Sequence, residues 1–339
     1  MELAAQAPVA GPESASIAGS PKDKRRSFAH YGARYGMLIA FCIMLLVFLA
    51  TNPDFRRPNN LLNILQQSSL IGIVSCGMVV IIISGGFDLS VGVIGAGSAI
   101  SAASLMVGTG SILYGVLGGL AVGLIAGAFN GILVSQVKIT PFVATLGSST
   151  LMSGIIFAST NALPVSGIPP EFTDFGLGKI GGIPIPGIVF AAVAALTFIV
   201  LKWTRIGHYV YAVGSSSEAS RLAGVPVERV VLFSFVLGGL LAGLAGVMFL
   251  GQTGIGQPTG GRDWPLTAIA AVVVGGTPLR GGSGGVHSAV VGTLLLGVLA
   301  NALNLYGVSA YWQPAVTGVV ILLAVGAESY QRKLIGDAV

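Results

Sequence analysis

A polar island inside the apolar body of this sequence, Thr204–Arg229 (TRIGHYVYAVGSSSEASRLAGVPVER), carries Arg205, His208, Glu218, Arg221, Glu228 and Arg229. It lies between two long apolar runs, 183–201 and 230–250, in a chain with little charge elsewhere. Such residues are suited to ion pairing and docking. Covalent or metal chemistry has no comparable support: His30, His208 and His287 are scattered, and Cys42 and Cys76 sit inside apolar runs without C-x-x-C spacing. The cysteines read as small core residues. The pattern G-x-x-x-x-G-K-[ST] occurs nowhere, which argues against phosphate-loop nucleotide binding. An integral membrane enzyme would need a clustered acid, base or metal set, and none is visible.

Within the polar stretch a short helix can be read with both ends marked. Ser215 and Glu218 stand at S-x-x-E spacing, the pattern of a capping box. Gly224 supplies a left-handed stop and Pro226 forbids simple continuation. Ala219, Leu222 and Ala223 fall on one face between these signals. So short a helix is marginal alone in water, so something must pack on it. It is either a surface helix in a connecting loop or a docking helix for a partner protein.

Two glycine-rich breaks are the next candidates. Gly85–Gly92 (GGFDLSVG) interrupts an apolar run, with Asp88 placed to cap the helix that follows. It is either a cap at the membrane surface or a broken helix lining a passage, where irregular backbone is tolerated because it faces water or protein. Gly275–Gly285 (GGTPLRGGSGG) is the second, on the same expected side. Uncharged polar residues inside the apolar runs, among them Gln66, Asn130, Thr145, Asn301 and Asn304, are either interhelical hydrogen-bond partners or the lining of a path. As a set, amides and hydroxyls suit a neutral polyhydroxylated cargo. A proton- or sodium-coupled carrier is expected to place ionisable groups at mid-membrane, and their scarcity argues against one.

The elements that must position these residues are membrane helices. The 339-residue chain is 53% hydrophobic and only 9% charged, far from the soluble norm of about 25% charged. Ten spans suggest themselves, at 35–51, 61–83, 88–107, 111–135, 140–160, 184–202, 229–250, 265–276, 284–305 and 313–328. The eighth is too short to cross as a straight helix and is either broken or completed by the glycine-rich residues after it. The expected fold is all-α and polytopic. With both termini cytoplasmic, 13 of the 17 basic residues fall inside and only Arg56, Arg57, Lys179 and Arg262 outside. The net charge of +5 is thus a topology signal more than a mark of nucleic-acid binding. Residues 1–34 read as a disordered basic cytoplasmic tail, 203–229 as a cytoplasmic loop, 329–339 as a second tail, and the proline-rich 161–186 as a stiff periplasmic loop, either a linker or part of a platform for an external partner. The 51 glycines often stand at small-x-x-x-small spacing, as in Gly115–Gly119–Gly123–Gly127 and Gly239–Gly243, which lets helices approach closely inside a bilayer.

Several blocks in order carry a resemblance: NNLLNILQQSSLIGIVSCGM, GGFDLSVG, TPFVATLG, TRIGHYVYAVGSSSEASRLAGV, LTAIAAVVVGGTPLRGGSGG and ANALNLYGVSAYWQPAVTGVVILLAV. Over about 53–327 the chain resembles the membrane-spanning permease subunits of ribose-type bacterial ABC importers. The resemblance implies a pair of permeases in the cell membrane, with a second copy or a homologue as mate, two cytoplasmic ATPase subunits that bind ATP and magnesium, and a periplasmic sugar-binding protein. This chain itself would hold no cofactor. It also implies that Glu218, Ala219, Arg221, Leu222, Gly224 and Val225 form the element coupled to the ATPase. The family's signature loop falls on Gly85, Gly86, Asp88, Leu89, Ser90, Val91 and Gly92. Where the family often has Asn-x-x-Ala-Ala, this chain has Ser216-Ser217-Glu218-Ala219-Ser220. The alternative that stays open is a self-energised secondary transporter or channel for a small polar solute.

Overall fold

The computed structural model describes residues 41–316, together with 39, 318, 319, 322 and 326. The tails expected at 1–34 and 329–339, and parts of the first and tenth expected spans, lie outside the described residues. In chain order the helices are α1 (Phe41–Thr51), α2 (Pro58–Ile83), α3 (Val91–Thr109), α4 (Ile112–Ser135), α5 (Pro141–Thr160), α6 (Pro170–Leu177), α7 (Ile185–Trp203), α8 (Arg205–Ser215), α9 (Ser217–Leu222), α10 (Val227–Thr253), α11 (Trp264–Val274) and α12 (Val286–Leu305). A two-residue antiparallel pair, β1 (Lys179–Ile180) and β2 (Ile183–Pro184), lies between α6 and α7. Among the described residues seven helices, α2, α3, α4, α5, α7, α10 and α12, are long and apolar enough to cross a membrane. The molecule is a mostly helical, polytopic membrane protein.

Local chemistry places the ends of these helices. Proline stands in the first turn of α2, α5, α7 and α11, where its missing N–H has no intrahelical partner to lose. Left-handed Gly110 and Gly254 close α3 and α10. The 11-residue α11 rises roughly 16 Å, about half of a hydrocarbon core. The eighth expected span is therefore observed as a helix too short to cross by itself. Beyond it the chain turns through Gly276, Gly281, Gly282 and Gly284, all at positive φ.

The core lies where α2 and α10 run through the middle of the bundle, packed by α3, α4, α7, α11 and α12. The tightest seam joins α4 to α10, and the glycine ridges meet there. A Cβ on Gly123 would lie 2.5 Å from Gly239 O, and one on Gly239 2.5 Å from Gly123 O. Gly127 faces Phe235 O as closely, and Gly243 meets the Cα of Gly123. Backbone touches backbone along the seam, which only glycine permits. By contrast α5 is the least enveloped of the seven spans.

The segment 161–186, expected as an irregular stiff loop, holds α6. Pro170 opens this helix and Glu171 sits in its first turn. Its Phe172 is buried against Met106, Val247 and Leu250, and Gly176 lies against the backbone of Gly251. Val165 bridges to Gly256, with Val165 N donating to Gly256 O at 2.9 Å.

Gly239→Val forces a branched side chain into the α4 backbone and is expected to cost at least the 1–3 kcal/mol typical of overpacking, roughly. Gly108→Ala near the end of α3, where nothing lies within 4 Å of an added Cβ, is expected to be neutral. Thermal unfolding of the detergent-purified protein checks the contrast; equal melting of the two variants would contradict the seam.

Candidate functional site

The glycine break between α2 and α3 is held by a buried polar knot. Gly85 turns the chain at φ +93, and Asp88, fully buried, follows. Asp88 Oδ1 accepts from Ser90 N at 2.7 Å and from the Ser90 hydroxyl. Asn130 of α4 donates through Nδ2 to Ser90 Oγ at 2.7 Å and to Asp88 Oδ2 at 3.4 Å. Thr145 of α5 accepts from Leu89 N at 3.1 Å and donates to Pro141 O at 2.8 Å. Three sets of candidates far apart in sequence thus converge, and Asn130 and Thr145 use their hydrogen bonds to fasten the loop. A carboxylate out of water is costly unless donors surround it, which these supply. The helix cap differs from expectation: Ser90 is the N-cap of α3 and Asp88 stands two residues before it, accepting from Ser90. The remaining loop residues, Gly86 and Gly92, pack against neighbours: Gly86 meets Pro141 and Phe235, and a Cβ on Gly92 would strike Gly261 O.

A second junction lies at the end of the bundle where α2 stops. Gly282 N donates to Ile83 O at 2.9 Å. A Cβ on Gly214 of α8 would fall 1.7 Å from Ile83 O and 2.6 Å from Gly282 N. Tyr211 Oη donates to Gly284 O at 3.1 Å. Burial pushes the Tyr211 hydroxyl up from its ordinary pKa, so it stays a neutral donor. The polar stretch 204–229 is thereby in direct backbone contact with the end of α2 and with the second glycine-rich break.

That stretch contains two helices where one was expected. Thr204 caps α8 by accepting from Gly207 N at 3.2 Å. The cap of α9 is Ser216, accepting from Ala219 N at 3.2 Å. Ser215, expected as that cap, closes α8 instead, and its hydroxyl donates to Tyr211 O at 2.9 Å. The stop is as expected: Gly224 turns at φ +81, and Val225 N donates to Ser220 O at 2.9 Å. Glu218, Ala219, Arg221, Leu222 and Gly224 are exposed, Leu222 by 85%, whereas Val225 is half-buried against the core. Arg221 pairs with Glu228 at 2.9 Å, and the same Glu228 oxygen takes Lys138 Nζ at 3.0 Å. Glu228 therefore ties α9 to the α4–α5 turn, where Lys138 adopts a left-handed backbone. Sequence reading placed Glu228 in the polar stretch and Lys138 among the cytoplasmic charges without joining them; their pairing spans 90 positions and leaves no local signal.

The remaining polar candidates cluster at the opposite end of α12. Asn301 exchanges two 2.9 Å amide bonds with Asn60 of α2. Asn304 Oδ1 accepts from Gln313 Nε2 at 2.7 Å. Gln66 is half-buried on α2 and makes no side-chain hydrogen bond among the described residues.

Removing Asn130 strips two donors from buried oxygens. Asn130→Ala is expected to cost about 1–3 kcal/mol, and Asp88→Ala on that background less than in the wild type, read as non-additive shifts in thermal unfolding. Additive shifts would mean the two residues do not share a network. Gly214→Ala must displace Ile83 or Gly282; its expected effect is loss of coupled transport from protein that still purifies, and full transport would remove the junction's role.

Comparison with known proteins agrees with this geometry. Residues 60–325 match the family described as the branched-chain amino acid transport system / permease component. The ribose import permease protein of Escherichia coli is 40% identical over 292 residues, 85% of this chain and 91% of its own. Its namesake in Bacillus subtilis is 36% identical over 306 residues, covering 90% and 95%. The L-arabinose transport system permease protein of Escherichia coli is 34% identical over 322 residues, covering 94% and 97%. The chain belongs to this family of transport-system permease components.

Proposed function

We propose that this chain is the permease subunit of a bacterial ABC importer for a monosaccharide such as ribose or a related sugar or sugar alcohol. Relatives named for ribose, D-allose and L-arabinose, at 34–40% identity, support a neutral polyhydroxylated cargo. The protein is a multi-pass component of the cell membrane and has no phosphate-loop motif of its own. ATP and magnesium are bound by separate cytoplasmic ATPase subunits, and a periplasmic sugar-binding protein delivers cargo. Ten spans with both termini inside put 203–229 in the cytoplasm and 161–186 in the periplasm.

The observation that carries the coupling reading is α9. Its Ala219 and Leu222, with Ala223 just beyond its end, are all exposed, so this small apolar face packs on nothing among the described residues. A helix of six residues does not persist without packing, and an ATPase surface provides it. Engagement of α9 moves α8, and α8 bears through Gly214 on Ile83 and Gly282. The permease pair then switches the side its central path faces, by alternating access. A second copy or homologue is supported by α5, whose face from Val143 to Ala158 bounds an open groove and carries uncovered Gly147 and Gly154.

Co-purification with the cognate ATPase tests the reading. Glu218→Ala/Arg221→Ala is expected to lose the ATPase, or to retain it while binding-protein-driven uptake falls at least tenfold. Sugar uptake into liposomes by this chain with no ATPase would replace the ABC assignment with a secondary carrier.

A further inference from the structure

A cavity of about 500 Å³ opens between α2, α11, α12 and the residues after the Ala310–Trp312 turn. Gln67, Ser68, Asp263, Thr267 and Gln313 all line it. Ser68 is 4% exposed, and its hydroxyl has no hydrogen-bond partner among the described residues. Across from it stands Gly297, where a Cβ would lie within 1.9 Å of Ser68 Oγ, so glycine there leaves room for the hydroxyl. The Asp263 carboxylate makes neither a cap bond nor an ion pair among the described residues. Thr267 donates to Asp263 O at 2.8 Å, which leaves its oxygen able to accept. Gln313 is held by Asn304 through one amide hydrogen, leaving its carbonyl and its second N–H.

We infer that this cavity is a subsite of the translocation path that receives the hydroxyls of a neutral monosaccharide. Gln67 and Ser68 lie within the membrane helix α2, Thr267 lies on α11 and Asp263 stands at the N-cap of α11; polar groups so placed do not face lipid, because unsatisfied polar groups there are costly. They face water or cargo. The donor and acceptor set is that of sugar recognition: a carboxylate accepts from adjacent hydroxyls while amides and hydroxyls serve both directions. The cargo-facing amide of α2 is then Gln67, with Gln66 one residue round the helix, and Asn304 is a positioning residue that aims Gln313.

The inference rests on the sugar-importer reading, and the test separates the two. In proteoliposomes holding the full complex with ATPase and binding protein, Thr267→Cys is exposed to a membrane-impermeant methanethiosulfonate and read by mass at residue 267, with Cys42 and Cys76 left in place. Labelling is expected, slowed at least threefold when the binding protein delivers D-ribose. Uptake by Gln67→Ala and Asp263→Asn is expected to fall at least tenfold while ATP hydrolysis stays within twofold of wild type. Absence of labelling in the complex, which a lipid-facing or permease-covered groove would give, overturns the subsite. So does unchanged uptake in both variants when the wild type transports D-ribose. If the wild type takes up none of D-ribose, D-allose and L-arabinose, the cargo reading fails and the subsite falls with it.

Discussion

The direct contact of backbone on backbone between α4 and α10 is the constraint on which the remaining structure depends. In a bilayer, burying apolar surface against a neighbouring helix gains little over lipid, so association rests on close packing and hydrogen bonds. Gly123, Gly127, Gly239 and Gly243 bring two long helices near enough for both. That closeness sets Asn130 of α4 beside the loop before α3 and brings the start of α10, with Glu228, beside Lys138. The polar knot and the ion-pair hub are therefore consequences of one packing choice.

The spans were legible because hydropathy records them directly: the expected 111–135 is observed as Ile112–Ser135, and 284–305 as Val286–Leu305. Small-residue spacing likewise foretold that α4 and α10 present ridges, though not that they present them to each other. Cap assignment failed where three serines stand in a row. Ser215, Ser216 and Ser217 all suit an N-cap, and the choice fell to Ser216 because α8 runs on through Ser215. The helix α8 was hidden because its polar residues masked the buried stripe of Gly207, Val210 and Val213. In α6, the start Pro-Glu was a visible signal that the density of prolines obscured.

The polar residues inside the spans teach a different lesson. Chemically, Asn130, Thr145 and Asn301 are equally able to hold structure or meet a solute, and composition does not separate those uses. Position does. Asn130 and Thr145 lie where a loop must be fastened, and Asn301 faces an identical amide on Asn60. By contrast Ser68 keeps an open hydroxyl beside a glycine.

The course of α2 has a consequence for how such a protein diversifies. Its Ile83 carbonyl takes part in the glycine junction, whereas Gln67 and Ser68 lie 15 or more residues away along the same helix, roughly 22 Å. In the importer proposed above, drive would act at one end of this rigid rod and selectivity nearer its middle. The junction tolerates almost no side-chain change, because carbonyl and Cα already touch. The cavity wall, built of side chains, accepts exchange one residue at a time. A lineage with this layout can acquire new cargo without redesigning its engine.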